Sequence, residues 1–123
     1  MTDSRRLIAS FTVPGRPVPA VRMTRRSKWV NPQAKRCLDY QMLVAWHARA
    51  ATTGRPTAAP VRLDAVFHLH GARRGDLSNL VKAVEDALNG VVWVDDRQVV
   101  ELHAWILECG KDDEKVEVGV ITV

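Results

Sequence analysis

The chain has 123 residues, 46% of them hydrophobic and 26% charged, with a formal net charge of +4. That length suits one domain, residues 1–123, and the composition argues against a disordered chain. No apolar run approaches the ~20 residues of a bilayer span, and the amino terminus has no signal-peptide core. A cytoplasmic protein is expected. Cys37 and Cys109, without C-x-x-C spacing, are expected to be free buried thiols.

Leu7 to Val13 alternates, with Leu7, Ala9, Phe11 and Val13 on one side, and predicts a strand. Pro14, Gly15, Pro17 and Pro19 end it, since proline removes ladder donors. The stretch through Trp29 has no clear period and predicts an extended loop. Pro32, suited to a first helical turn, opens a helix predicted to reach about Ala51, with Leu38, Met42, Ala45, Trp46 and Arg49 at helical spacing. Thr53 to Pro60 is a connector. Val61 to His70 alternates again, placing Val61, Leu63, Ala65, Phe67 and Leu69 on a buried face. A second helix follows Asp76, a turn falls at Asn89-Gly90, and strands are predicted at Gln98–Leu107 and Lys115–Val123. The expected fold class is α+β: one domain in the order β-α-β-α-β-β, a mixed sheet with helices packed on it.

Charge is unevenly spread. Arg16, Arg22, Arg25, Arg26, Lys28, Lys35 and Arg36 fall between Pro14 and Leu38 with no acid among them, while eight of the fourteen carboxylates lie from Asp95 onward. A basic segment attracts a polyanion such as nucleic acid, the plainer alternative being a solubilising loop. Arg22, Arg25, Arg26 and Lys28 are the candidate contacts to a nucleic-acid backbone, joined by Arg73 and Arg74 ahead of the second helix. Trp29 would either stack on an unpaired base or pack. Trp46, Trp93 and Trp105 are assigned to packing.

The segment from Gly75 to Arg97 places five carboxylates (Asp76, Glu85, Asp86, Asp95 and Asp96) and Lys82 around one short helix. At about 100° per residue, Leu77, Leu80, Val81, Val84, Leu88 and Val91 form an apolar stripe. Ser78, Lys82, Glu85 and Asn89 fall opposite, with Asn79 and Asp86 at the edge. Asp76 could simply cap the helix, Lys82 and Asp86 could be an ordinary surface pair, and Asp95-Asp96 could be a turn with Arg97 as counter-ion. Together they suggest a divalent-cation site facing an anionic substrate, because clustered carboxylates are costly without a cation. Mg²⁺ prefers hard oxygen ligands, and a nearby lysine suits the charge that develops on phosphate in phosphodiester hydrolysis. His68 and His70 offer an alternative transition-metal pair.

Gly-Asp-x-x-Asn-Leu-x-Lys-x-x-x-Asp-Ala-Leu-Asn-Gly, followed by Asp-Asp-x-Gln-Val, resembles the RusA-type Holliday-junction resolvases, often encoded by phages and prophages. Weaker likeness covers the first strand, Val-Pro-Gly-Arg-Pro-x-Pro and the arginine-rich loop. The resemblance implies a homodimer that binds four-way DNA junctions and nicks two strands symmetrically with Mg²⁺ or Mn²⁺. It implies metal-binding acids at Asp76, Ser78 and Asp96, a functional lysine at Lys82, and Asp95 as a lesser ligand. Catalysis is thus expected of Asp76, Lys82 and Asp96. Ser78 departs from the pattern, since a neutral hydroxyl is a poorer ligand than carboxylate. Glu85, two turns later on the same face, is the expected replacement. A junction-binding protein that cuts weakly or not at all is the alternative, and a structural domain without a nucleic-acid role is a third.

Overall fold

The computed structural model describes residues 5–21, 31–72 and 75–123. Its elements are β1 (Leu7–Pro14), α1 (Pro32–Ala51), β2 (Val61–Leu69), α2 (Leu77–Leu88), β3 (Val99–Glu108) and β4 (Lys115–Thr122). Short 3₁₀ turns cover Asp96–Gln98 and Lys111–Asp113. The class and order match the expectation.

The four strands lie in the order β1-β4-β2-β3. β4 runs antiparallel to β1 and to β2, whereas β2 and β3 are parallel, so the sheet is mixed. A parallel pair needs a crossover, and α2 supplies it. The consequence is positional: α2 starts near the end of β2 and finishes near the start of β3.

Side-chain alternation along β2 sets the core. Leu63, Ala65 and Phe67 lie opposite Val120, Val118 and Val116 of β4 and opposite Leu102, Ala104 and Ile106 of β3. Opposed residues share a face, so this side is apolar, and the helices cover it except at Leu102, which stays half-exposed. The far side carries Asp64, Val66, His68, Trp105 and Glu117, with no helix over it among the described residues.

α1 begins as Pro32 predicts, with the Asn31 side chain accepting from the Gln33 amide at 2.9 Å. Its buried face is not the expected one. Ala34, Cys37, Tyr40, Val44 and Ala48 are buried, while Met42 is 71% and Trp46 64% exposed. The buried row recurs at spacings of three and four and includes the ring of Tyr40. Trp105, on the edge strand, is 46% exposed, so it is not the buried packing residue expected. Trp93 is fully buried, as assigned. Both cysteines are free, Cys37 buried and Cys109 only half-buried. Among the described residues, no helix is long and apolar enough to cross a membrane.

α2 follows the helical wheel. Leu80, Val81, Val84 and Leu88 are buried, together with Ala83 and Ala87, whereas Ser78, Asn79 and Lys82 are exposed. One side is core and the other is free for chemistry.

Candidate functional site

Two features hold the start of α2. Gly75 has ordinary backbone geometry, and glycine is required there by contact: a Cβ would lie 2.6 Å from both Cβ and Cγ of Pro19. One residue further, the Ala20 amide donates to the Asn79 carbonyl at 2.8 Å. The segment leading into the basic stretch is therefore docked on the first turn of α2. Asn31, the cap of α1, anchors the other flank. Arg22, Arg25, Arg26, Lys28, Trp29, Arg73 and Arg74 themselves lie outside the described residues.

Asp76 occupies the cap position, but its side chain makes no capping hydrogen bond. The capping alternative thus does not use up its carboxylate. Ser78 lines a cleft of about 310 Å³ between α2 and β3, together with Leu77, Val81, Glu85, Leu102 and Ala104. Ser78 and Glu85 open into the same hollow.

Lys82 Nζ donates to Asp86 Oδ1 at 2.5 Å. That bond, followed by the negative charges of Asp86, Asp96 and Glu85, holds the ammonium above its usual pKa. Glu85 is half-buried. Burial pushes its carboxyl up, the Asp96 charge adds to this, Lys82 opposes it, and Asp86 raises it further. These mutual effects mean that Lys82, Glu85, Asp86 and Asp96 share one electrostatic neighbourhood.

Asp96 stands on the 3₁₀ turn and receives a hydrogen bond on Oδ1 from Trp93 Nε1 at 2.8 Å. Asp95 is turned elsewhere. Its carboxylate accepts from the Arg97 amide at 2.9 Å and the Arg97 guanidinium at 3.1 Å, which hold its pKa below the usual range.

Asp76, Asp95, Asp96 and Glu85 therefore do not form one ring of ligands. Asp76 precedes Glu85 by nine positions, ~13 Å along a helix axis, and Asp95 faces its own arginine. Among the described residues, no group of three or more His, Cys, Asp or Glu side chains is placed to hold a metal ion. His68 pairs with Glu117, and His70 Nδ1 meets the Cys109 carbonyl at 3.0 Å and lies 3.4 Å from Glu108. The donor chemistry at Glu85 and Asp96 nonetheless suits magnesium, which retains waters and takes one or two carboxylates plus a substrate phosphate. Two like charges in a half-buried setting, one pKa already raised by the other, are what a hard cation relieves.

Sequence reasoning counted Asp86 among the clustered carboxylates but did not foresee the contact of Trp93 with Asp96. The i, i+4 spacing of Lys82 and Asp86 was visible but reads as a common surface pair. Nothing in the sequence distinguishes Trp93 from a core residue.

The described residues thus form an α+β domain whose crossover helix presents Lys82 among carboxylates. The model of the endodeoxyribonuclease RusA family matches residues 14–121, and the chain belongs to that family. No curated protein matches the chain significantly.

Proposed function

We propose that this single RusA-like domain is a Mg²⁺- or Mn²⁺-dependent, structure-selective DNA endonuclease. It resolves Holliday junctions by paired symmetric nicking in recombination and repair, in the cytoplasm where the DNA lies. What supports the reading is the mutual electrostatic influence of Lys82, Glu85 and Asp96, in a chain of an endodeoxyribonuclease family.

Asp96 and Glu85 would hold the ion, whereas Asp76, nine positions before Glu85 and ~13 Å away along the helix axis, lies beyond the reach of its short side chain. When bound, the ion polarises the phosphoryl oxygen and lowers the pKa of a coordinated water. Lys82 supplies positive charge toward the scissile phosphate as negative charge builds there. Asp86 restrains the lysine's long side chain, so less rotamer freedom is lost when substrate arrives. Arg22, Arg25, Arg26, Lys28, Arg73 and Arg74 neutralise backbone phosphates, and binding then weakens steeply with salt.

A four-way junction is approximately two-fold symmetric, and a homodimer offers two equivalent sites to matching strands. The edge strand β3 supports such a partner. Val100, Leu102, Trp105 and Leu107 are exposed along it, and uncovered apolar edges invite strand pairing. β3 also continues directly from the turn bearing Asp96, so pairing there would fix the spacing of two sites.

Ser78 favours a second reading, in which the protein binds junctions and cuts poorly, because the exposed hydroxyl leaves the implied third carboxylate absent. A labelled synthetic four-way junction, incubated with Mg²⁺ or with chelator, separates the two. Metal-dependent cutting lost in Lys82→Ala and Asp96→Asn, with binding retained, is the expected result. Binding without cutting by the unaltered protein would establish the second reading instead.

A further inference from the structure

We propose that Trp93 and Gln98 are positioning residues that hold the Asp96 carboxylate in its metal-binding orientation. The inference rests on the nuclease reading above and adds residues outside the implied ligand set.

Asp96 sits on a turn of three residues, where a carboxylate would ordinarily sample several rotamers. Two side chains restrict it. The fully buried Trp93 ring is locked by packing, and its Nε1 donates to Asp96 Oδ1 at 2.8 Å. An indole N–H can only donate, so the contact requires an acceptor there and takes up part of one oxygen, leaving Oδ2 for another partner. Gln98 uses both ends of its amide. Its Oε1 accepts from the amides of Val94 at 2.9 Å and Asp95 at 2.8 Å. Its Nε2 donates to the carbonyls of Thr57 at 2.7 Å and Ala59 at 2.9 Å. The turn is thus stapled to the connector ahead of β2, which is itself tied to the Trp93 segment by the bond from the Thr57 amide to the Val92 carbonyl at 2.9 Å.

Outer partners of this kind orient a ligand and set its basicity, and their loss typically weakens metal binding by about 10–100-fold. Trp93→Phe keeps most of the packing and removes the donor. Mn²⁺ binding, followed by electron paramagnetic resonance on the protein without DNA, should weaken by roughly 10-fold or more. Metal-free junction binding should not change. Cutting should recover at high Mg²⁺, which a collapsed site would not allow. In the tryptophan side-chain N–H spectrum, Asp96→Asn should move the resonance that disappears in Trp93→Phe.

Asp96→Asn separates the two layers of the argument. If it leaves Mn²⁺ binding intact, the reading of Asp96 as a ligand fails. If it abolishes binding while Trp93→Phe binds Mn²⁺ normally, the ligand reading stands and the positioning inference is overturned. Should Trp93→Phe not fold, site-specific benzothienylalanine at position 93 keeps the ring shape without the donor, and Gln98→Met removes the staple; normal Mn²⁺ affinity in both would refute the proposal.

Discussion

Gly75→Ala tests how the basic segment is attached to α2. The added Cβ would sit 2.6 Å from Cβ and Cγ of Pro19. Ordinary carbon contacts lie at about 3.5–4.0 Å, so the shortfall is about 1 Å. Neither group can yield easily. The proline ring is stiff, and the Ala20–Asn79 hydrogen bond holds the next residue in place. Overpacking of this kind costs about 1–3 kcal/mol. For a chain of this length that is a Tm fall of roughly 3–12 °C. Relief by detaching residues 17–21 would instead spare Tm, expose that segment to protease and weaken junction binding. Thermal denaturation, limited proteolysis and junction binding on one preparation cover both routes. Pro19→Gly removes the opposing atoms, so the double variant should lose less than the sum of the single losses. Unchanged stability, proteolysis and affinity in Gly75→Ala, or strict additivity in the double variant, would refute the contact as the reason for glycine.

Glu85→Gln should reduce Mg²⁺-dependent cutting by at least about 10-fold, judged by the loss of one charged ligand; full activity in a junction-cleavage assay would end its role as substitute for a carboxylate at Ser78. Glu114 accepts from the His70 amide at 3.1 Å and from Arg16, and these hold its pKa below the ordinary glutamate value. A depressed carboxylate stabilises above its unfolded pKa, and that stability drains away as pH falls through the folded value. Denaturation from neutral pH to about pH 3 should therefore show Glu114→Gln less stable than the parent at neutral pH, with the gap closing in acid; a constant gap would contradict the linkage. Leu102→Lys on β3 should convert a dimer to a monomer in sedimentation while leaving far-ultraviolet circular dichroism unchanged; a persisting dimer would place the interface elsewhere.

Local pattern was legible where one period dominates. Strict alternation over Val61–Leu69 and a single apolar stripe over Leu77–Leu88 each left one arrangement that buries the core, and the elements match. α1 shows the limit. Its boundaries at Pro32 and Ala51 were readable from the chain, but its buried face was not: Ala34, Cys37, Tyr40, Val44 and Ala48 are buried while Met42 and Trp46 stay exposed, and which face meets the sheet is decided by tertiary packing. The family motif depends on residue order alone, so it too was visible, and the match over residues 14–121 agrees with it.

What the chain could not reveal was which acids act together. Asp95 and Asp96 are neighbours in sequence, yet the 3₁₀ turn sends one carboxylate to Arg97 and the other to Trp93. The parallel pairing of β2 and β3 fixes the path of α2, bringing Glu85 and Lys82 near Asp96 and leaving Asp76 at the opposite end of the helix. Residue types and spacing set the inventory of charges; their convergence follows from how the crossover helix lies on the sheet, because Coulomb interactions depend on distance through space.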